Sequence, residues 1–390
     1  MATEYHHGSR TDESSAAPLS VTTISTAVIG MVCTASDADA AAFPLNQAVL
    51  ITQPKTALAK AGVAGTLAKS LSAIADQVTC PVIVVRVEEG ADEAATSAKI
   101  IGGVDASGAY TGMQALLTAE AKLGVRPRIL GVPGHDLLEV TTALVIVAQK
   151  LRAFVYASCG ASESVANALL YRKGFAAREL TLIWPDFTYF DSAKAAAAKA
   201  MTIAIALGLR AQIDQDIGFH KTLSNVPVNG VTGIDRDVYF ALQQTGTDAD
   251  LLNAQGITTL IGREGFRFWG SRTCDSATYI FESYTRTAQV LADSMAEALF
   301  PYIDQPASAI LIREVIDGFN RKIRQMVRAG QLLGGKAWFD PSLNSTDDMK
   351  NGRFAISYEY TPVPPFEQVT NKQSFTDTYF ATLSAAVSVG

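Results

Sequence analysis

Histidine and cysteine are scarce in this chain: its 390 residues include four of each. Cys33, Cys80, Cys159 and Cys274 lie far apart with no Cys-x-x-Cys pair, which argues against a four-cysteine zinc site and a disulfide framework. Cys33 and Cys80 fall in or beside apolar strand patterns and read as small buried hydrophobes. His6 and His7 are adjacent, but so few histidines leave little for a third ligand. Asp37-Ala38-Asp39 and Asp248-Ala249-Asp250 lack the glycine and distal glutamate of a calcium loop. No metal site is expected. Charge is sparse as well, at 18% of residues with a net charge of −6, which argues against a nucleic-acid binder because phosphate neutralisation needs a basic surface. Residues 140–147 form the best apolar run and are soon interrupted by Lys150 and Arg152, so no membrane insertion is expected. The N-terminus is polar without an apolar signal core, which predicts folding in the cytoplasm.

The usual chemical signatures are missing too. There is no Gly-x-x-x-x-Gly-Lys-Ser/Thr phosphate loop; Gly334-Gly335-Lys336 lacks the earlier glycine and the following hydroxyl. Gly131-Val132-Pro133-Gly134 reads as an ordinary turn between a strand and a helix. Asp186, His220 and Ser271 occur in the order of one convergent triad, but no Gly-x-Ser-x-Gly elbow accompanies them. No catalytic residue and no cofactor are expected; an α/β hydrolase and a monomeric binding module stand as the alternative readings.

What is present is a large apolar inventory, 48% of residues, enough for sizeable cores in two or three domains. Apolar strands over residues 27–32, 49–52, 81–87, 128–132, 154–157 and 180–184 alternate with helical patterns over 67–77, 110–123, 137–151 and 193–207. That alternation predicts a doubly wound α/β domain, a mostly parallel sheet covered on both faces, over residues 23–263. A smaller α+β domain is expected over 264–365, with the join at the glycine-rich residues 262–265. It holds two long helices, 281–299 and 307–331, and a strand at 354–361. Residues 1–22 and 366–390 read as extended N- and C-terminal arms, with a short helix suggested over 375–389.

Motifs are densest in the final third. Gly265-Phe266-Arg267-Phe268-Trp269-Gly270-Ser271-Arg272-Thr273 packs three aromatics, two arginines and two glycines into nine residues. Strand alternation puts Phe266 and Phe268 on one face and Arg267 and Trp269 on the other, marking Phe266, Phe268 and Trp269 as structural core. Phe354, Ile356, Tyr358 and Tyr360 alternate along one face of an edge strand that runs into Pro362-Val363-Pro364-Pro365. In the helix over 307–331, Ile312, Val315, Ile316, Phe319, Ile323, Met326 and Val327 form an apolar stripe. Arg321, Arg324 and Arg328 form a row on the opposite face, with Arg313 nearby, suited to an acidic partner.

Taken together, these segments have a family likeness. Tyr5-His6-His7-Gly8, Ser25-Thr26-Ala27-Val28-Ile29-Gly30-Met31-Val32, Arg128-Ile129-Leu130-Gly131-Val132-Pro133-Gly134 and Lys221-Thr222-Leu223-Ser224-Asn225-Val226 are four of them. Residues 265–273, Tyr284-Thr285-Arg286-Thr287-Ala288-Gln289-Val290-Leu291-Ala292-Asp293 and residues 360–365 complete the set. In this order the chain resembles the contractile-tail sheath proteins of P2-like myophages and R-type pyocins, from the N-terminus to Pro365. The resemblance implies a subtilisin-like larger domain, a likeness of fold and not of activity. It implies subunits that stack as six-fold rings along six helical strands around an inner tail tube protein. Baseplate and tail terminator proteins would be the further partners, and the virion tail the location, after assembly in the host cytoplasm. It also implies arms that add strands to a sheet in a neighbour's C-terminal domain. On this reading Phe354, Ile356, Tyr358 and Tyr360 border the intersubunit strand edge, and Arg321, Arg324 and Arg328 face the tube.

Overall fold

The computed structural model describes residues 25–191 and 194–380. The chain opens with β1 (Ile29–Thr34), β2 (Ala48–Ile51), α1 (Pro54–Ala57), α2 (Leu67–Ala75), β3 (Val82–Val87) and α3 (Glu93–Ile101). It continues through α4 (Ala119–Leu123), β4 (Ile129–Gly131), α5 (Leu138–Leu151), β5 (Phe154–Ser158), α6 (Val165–Arg172) and β6 (Leu180–Ile183). Then come β7 (Phe187–Asp191), β8 (Ala196–Lys199), α7 (Thr202–Asp216), β9 (Gly233–Ile234), α8 (Asp248–Ala254), β10 (Ile257–Gly262) and β11 (Phe266–Trp269). The last elements are α9 (Glu282–Leu299), α10 (Ala309–Arg328), β12 (Leu332–Phe339), α11 (Thr346–Lys350) and β13 (Ile356–Pro362).

Eight strands form one mixed, mostly parallel sheet in the order β11-β10-β6-β5-β4-β1-β3-β2, with β2 and β11 antiparallel at the two edges. Because successive side chains point to opposite faces, Ile29, Met31 and Cys33 enter one core while Val28 and Val32 enter the other. Helices α2 and α7 cover the first face, and α3, α5, α6 and α8 the second. This doubly covered sheet explains the near-continuous apolar strands. Helix α7 is buried on almost every side. Its Gly208 has no space for a side chain, since a Cβ there would lie 3.0 Å from the Ile74 Cα on α2. All four cysteines are free and buried.

Local propensity loses to tertiary context in three places. The alanine run expected to open a helix at residue 193 is strand β8 over Ala196–Lys199, hydrogen-bonded to β7. Alanine's helix preference is worth under about 1 kcal/mol per residue, less than a hairpin ladder supplies. The helix begins only at Thr202, whose hydroxyl accepts from the Phe187 N–H at 2.8 Å. The helix expected over 110–123 is a 3-10 turn, Gly112–Thr118, leading into the short α4. The join expected at residues 262–265 is a hairpin turn: Gly262 pairs with Phe266, and β10 and β11 lie side by side in the large sheet. The division drawn at 263/264 therefore cuts through a single sheet. Glu264 and Gly265 sit at φ 50 and 93, which is the chemistry of a tight turn and not of a linker.

A second body begins with α9. Val290, Leu291 and Met295 of α9, Val315, Phe319, Ile323 and Met326 of α10, and Leu332 and Ala337 of β12 share a third core. Strand β12 pairs antiparallel with β13 in a separate two-stranded ribbon. Strand β12 is not among those expected from the sequence, because its Gly334 and Gly335 carry no side chains to show strand alternation.

Candidate assembly interface

The crevice outside the carboxyl ends of a doubly wound sheet, where strand order reverses, is the usual place for a ligand. Here that point lies between β1 and β4, and side chains fill it. The Thr34 hydroxyl donates to Glu89 at 2.9 Å and lies 3.2 Å from His135 Nε2. Thr66 closes over it, exchanging bonds with the Thr34 backbone at 2.9 and 3.2 Å. Beneath, Asp136 is buried and accepts the Ser158 N–H. Burial pushes its carboxyl up to about 6, against the lowering effect of that hydrogen bond.

The Asp186, His220 and Ser271 triple does not assemble. Asp186 pairs with Lys199 at 2.6 Å, the His220 ring packs against Phe219, and the Ser271 carbonyl accepts from the Glu282 N–H at 3.0 Å. No hydrogen bond joins the three among the described residues. Nor do the described residues contain a cluster of three metal-binding side chains, or a helix long and apolar enough to cross a membrane.

The densest polar constellation lies where the two bodies meet. Glu282, Arg286, Gln289 and Asp293 recur at four-, three- and four-residue intervals, so they share one face of α9, and all are buried. Glu282 accepts from Arg210 at 2.8 Å, from the Tyr156 hydroxyl at 2.6 Å and from the Leu223 N–H at 3.0 Å. Arg210, at the centre of α7, also holds Asp214 at 2.7 Å, and Arg286 donates to the other oxygen of Asp214. Desolvation alone would depress the Arg210 guanidinium; the neighbouring Asp214 and Glu282 outweigh it and hold it above its ordinary value. Gln289 donates to the Ala153 carbonyl at 2.9 Å. Asp293 receives Arg128, Arg152 at 2.8 Å and Arg126 at 3.5 Å. These residues lie within the segment 284–293 or beside it, and the signal that could have found them was the polar spacing on a helix whose other face is apolar.

The outer surface places the remaining expected residues. Phe268 is buried and meets Phe187 edge-on at 5.2 Å, and Phe266 meets the same ring at 6.3 Å. Trp269, on the opposite face, is half-buried against Phe240 at 5.0 Å. On α10 the stripe buries Val315, Phe319, Ile323 and Met326, half-buries Ile312 and Ile316, and leaves Val327 exposed. Lys322 is buried as well. Arg321, Arg324 and Arg328 are exposed with Arg313, and no ion pair engages them among the described residues. Ile356, Tyr358 and Tyr360 of β13 pack toward the third core, while Phe354 lies outside the strand and is exposed. Neither outer edge of the β12–β13 ribbon pairs with another described strand. Of the arms, residues 1–22 and 381–390 lie outside the described residues. Residues 366–380 are exposed along their whole length.

Two outcomes follow. Removing one member of the buried network leaves an uncompensated charge, so Arg210→Met is expected to cost ~3–5 kcal/mol in urea unfolding; a loss below ~1 kcal/mol would contradict a locking role. Asp136 keeps a proton in the fold that the unfolded chain has already released. Stability is therefore expected to fall as pH rises from about 4 to about 6, by up to ~3 kcal/mol, and to level off above. Asp136→Asn should flatten that segment of the stability–pH curve, measured by urea titration at each pH.

Comparison with known proteins gives the family. Residues 108–274 match the phage tail sheath protein central domain and residues 275–376 the phage tail sheath C-terminal domain. Residues 26–87 match the N-terminal region of domain III of the Gp18 tail sheath protein. The chain is 51% identical to the tail sheath protein of Escherichia phage P2, covering 98% of this chain and 99% of that one. It is 48% identical to the major tail sheath protein of Serratia phage KSP20, over 99% of each. The fold is shared with the sheath of an extracellular contractile injection system in its contracted state, at a TM-score of 0.71 and 14% identity, over 98% of this chain and 100% of that one. The chain belongs to the phage tail sheath protein family and is a structural subunit of a contractile tail sheath.

Proposed function

We propose that this subunit polymerises as a six-start helical stack of hexameric rings around an inner tail tube. Shortening of that stack then drives the tube through the bacterial envelope, with baseplate and tail terminator proteins holding its ends. The observation that carries the reading is the β12–β13 ribbon. Two strands whose outer edges pair with no other strand among the described residues are a template for added strands. Residues 1–22 and 366–390 supply the arms, and the exposed segment 366–380 supports this. Main-chain hydrogen bonds of that kind can stay intact while rigid subunits rotate about them. The large sheet domain, subtilisin-like in architecture, serves here as a rigid block. No nucleotide need be spent: the extended lattice is assembled in a high-energy state and held by a kinetic barrier.

Helix α10 would face the tube, its apolar stripe turned inward to its own domain. Arg321, Arg324 and Arg328 then meet acidic groups on the tube. Exposed charge pairs are worth about 0.2–1 kcal/mol each, so many copies grip together and each lets go singly.

Deleting residues 1–20 is expected to leave a folded subunit that no longer forms stable contractile sheath, as seen by negative-stain microscopy. Normal assembly and contraction of the truncated protein would refute the arm assignment. Reversing Arg321, Arg324 and Arg328 to Glu should impair assembly on tubes more than folding, and added salt should weaken tube attachment of the unaltered protein. Normal polymerisation of the triple variant on tubes would remove the arginine row from the reading.

A further inference from the structure

We infer that Arg272 and Glu367 form a clamp that sets the direction in which the C-terminal arm leaves its own subunit for a second copy of the chain. The inference rests on the reading of residues 366–390 as an arm. Arg272 is mounted on fixed backbone. Its neighbours Ser271 and Thr273 are buried, and its carbonyl accepts from the Thr181 hydroxyl on β6 at 3.2 Å. It bridges to Phe281, and the Thr273 N–H reaches the Ile280 carbonyl at 2.7 Å. From this base the guanidinium reaches 95 residues along the sequence. Its Nε donates to Glu367 Oε1 at 2.6 Å and its second nitrogen to Oε2 at 2.7 Å. Two parallel bonds between a planar fork and a carboxylate fix orientation as well as distance.

The chain around Glu367 is shaped for an exit. Pro362, Pro364 and Pro365 restrict the backbone on leaving β13, and the Glu367 N–H turns back to the Pro365 carbonyl at 3.0 Å. Beside and beyond the clamp the apolar side chains are largely uncovered by the described residues. Phe366 is 96% exposed, Val369 66% and Phe375 87%. Past Glu367, the Phe380 N–H bonds to the Asp377 carbonyl and the Thr378 N–H to the Thr376 hydroxyl, both within the segment. Apolar residues carried on an extended segment need a surface to bury them, and in a homopolymer that surface belongs to another copy. An arm released at Pro365 would sample many directions and lose that freedom on docking. One held at Glu367 starts aimed, which lowers the entropic cost of each contact. The clamp itself is about one-third exposed on both sides, so it adds little to the stability of the isolated subunit.

The experiment compares Arg272→Glu, Glu367→Arg, their double swap, Arg272→Lys and a chain truncated after Pro365. Each is measured for thermal unfolding and for critical concentration of polymerisation by sedimentation, with rods counted by negative stain. Each single reversal should leave the melting temperature unchanged and raise the critical concentration ~tenfold. The double swap should restore most of it. Lysine, which keeps the charge but not the fork, should be intermediate. If truncation abolishes polymerisation while both reversals polymerise like the unaltered protein, the clamp is refuted and the arm stands. If truncation has no effect, the arm reading falls and the clamp with it. Should Arg272→Glu misfold, Glu367→Gln, altered at an exposed position, gives the same comparison.

Discussion

Everything else in the molecule depends on the buried charge network between α7 and α9. Arg210 and Asp214 from the sheet domain meet Glu282 and Arg286 from the second body; the Tyr156 hydroxyl shares the Glu282 oxygen that Arg210 holds, and the Leu223 N–H takes the other. Four ionised groups removed from water are tolerable only while each keeps its partners, since an unpaired buried charge costs several kcal/mol. A small slide of one body over the other would break several bonds at once. An apolar interface of the same area could slip in small steps; this one has a single register. A second cluster at Asp293 repeats the device three turns further along α9. A subunit that must rotate within a moving lattice gains from being one block.

The sheet domain shows the same preference for rigidity over chemistry. Its switch point is the place where related architectures bind ligands, yet Thr34, Thr66, Glu89 and His135 occupy it with their own hydrogen bonds. Asp136 beneath them is shut from water, with its carboxyl held up by burial. These groups carry acid–base potential in isolation. Packed against one another they act as a plug that ties β1, β3 and β4 together at one end.

Much of this was legible in the sequence, for identifiable reasons. The parallel strands declared themselves because burial on both faces leaves near-continuous apolar runs such as Val82–Val87, broken only by Arg86. Helices α5, α9 and α10 were visible because their apolar periodicity is long. What stayed hidden depended on pairing. Residues 196–199 are alanines and a lysine, helix-forming by composition, and only the strand at 187–191 makes them a strand. Strand β12 was not expected, since Gly334 and Gly335 lack the side chains that would mark a strand; Gly335 lies so close to β13 that a Cβ would sit 2.6 Å from the Glu359 carbonyl oxygen. The turn at Glu264 and Gly265 looked like a boundary because glycine clusters punctuate both hairpins and linkers. The polar face of α9 was readable as spacing, but its meaning required knowing that α7 would lie against it.

Arginine therefore appears in this chain in two roles whose energies differ by about an order of magnitude. Arg210 is buried between the carboxylates of Asp214 and Glu282, and Arg286 is buried on Asp214, where loss of one partner costs about 3–5 kcal/mol. Arg321, Arg324 and Arg328 stand in water on α10, where a pair contributes about 0.2–1 kcal/mol. That ordering is what a contracting polymer requires. Under load, the weakest contacts yield first. If contacts to the tube were as strong as those within the subunit, the lattice would deform its blocks before releasing its core. If α10 faces the tube as proposed, locked interiors and shallow, screened outer contacts would leave the load on the interfaces. The energy set free there becomes motion of whole subunits. On the proposed reading the β12–β13 ribbon, unpaired at its outer edges among the described residues, would sit between these extremes, offering directional hydrogen bonds that many copies could share.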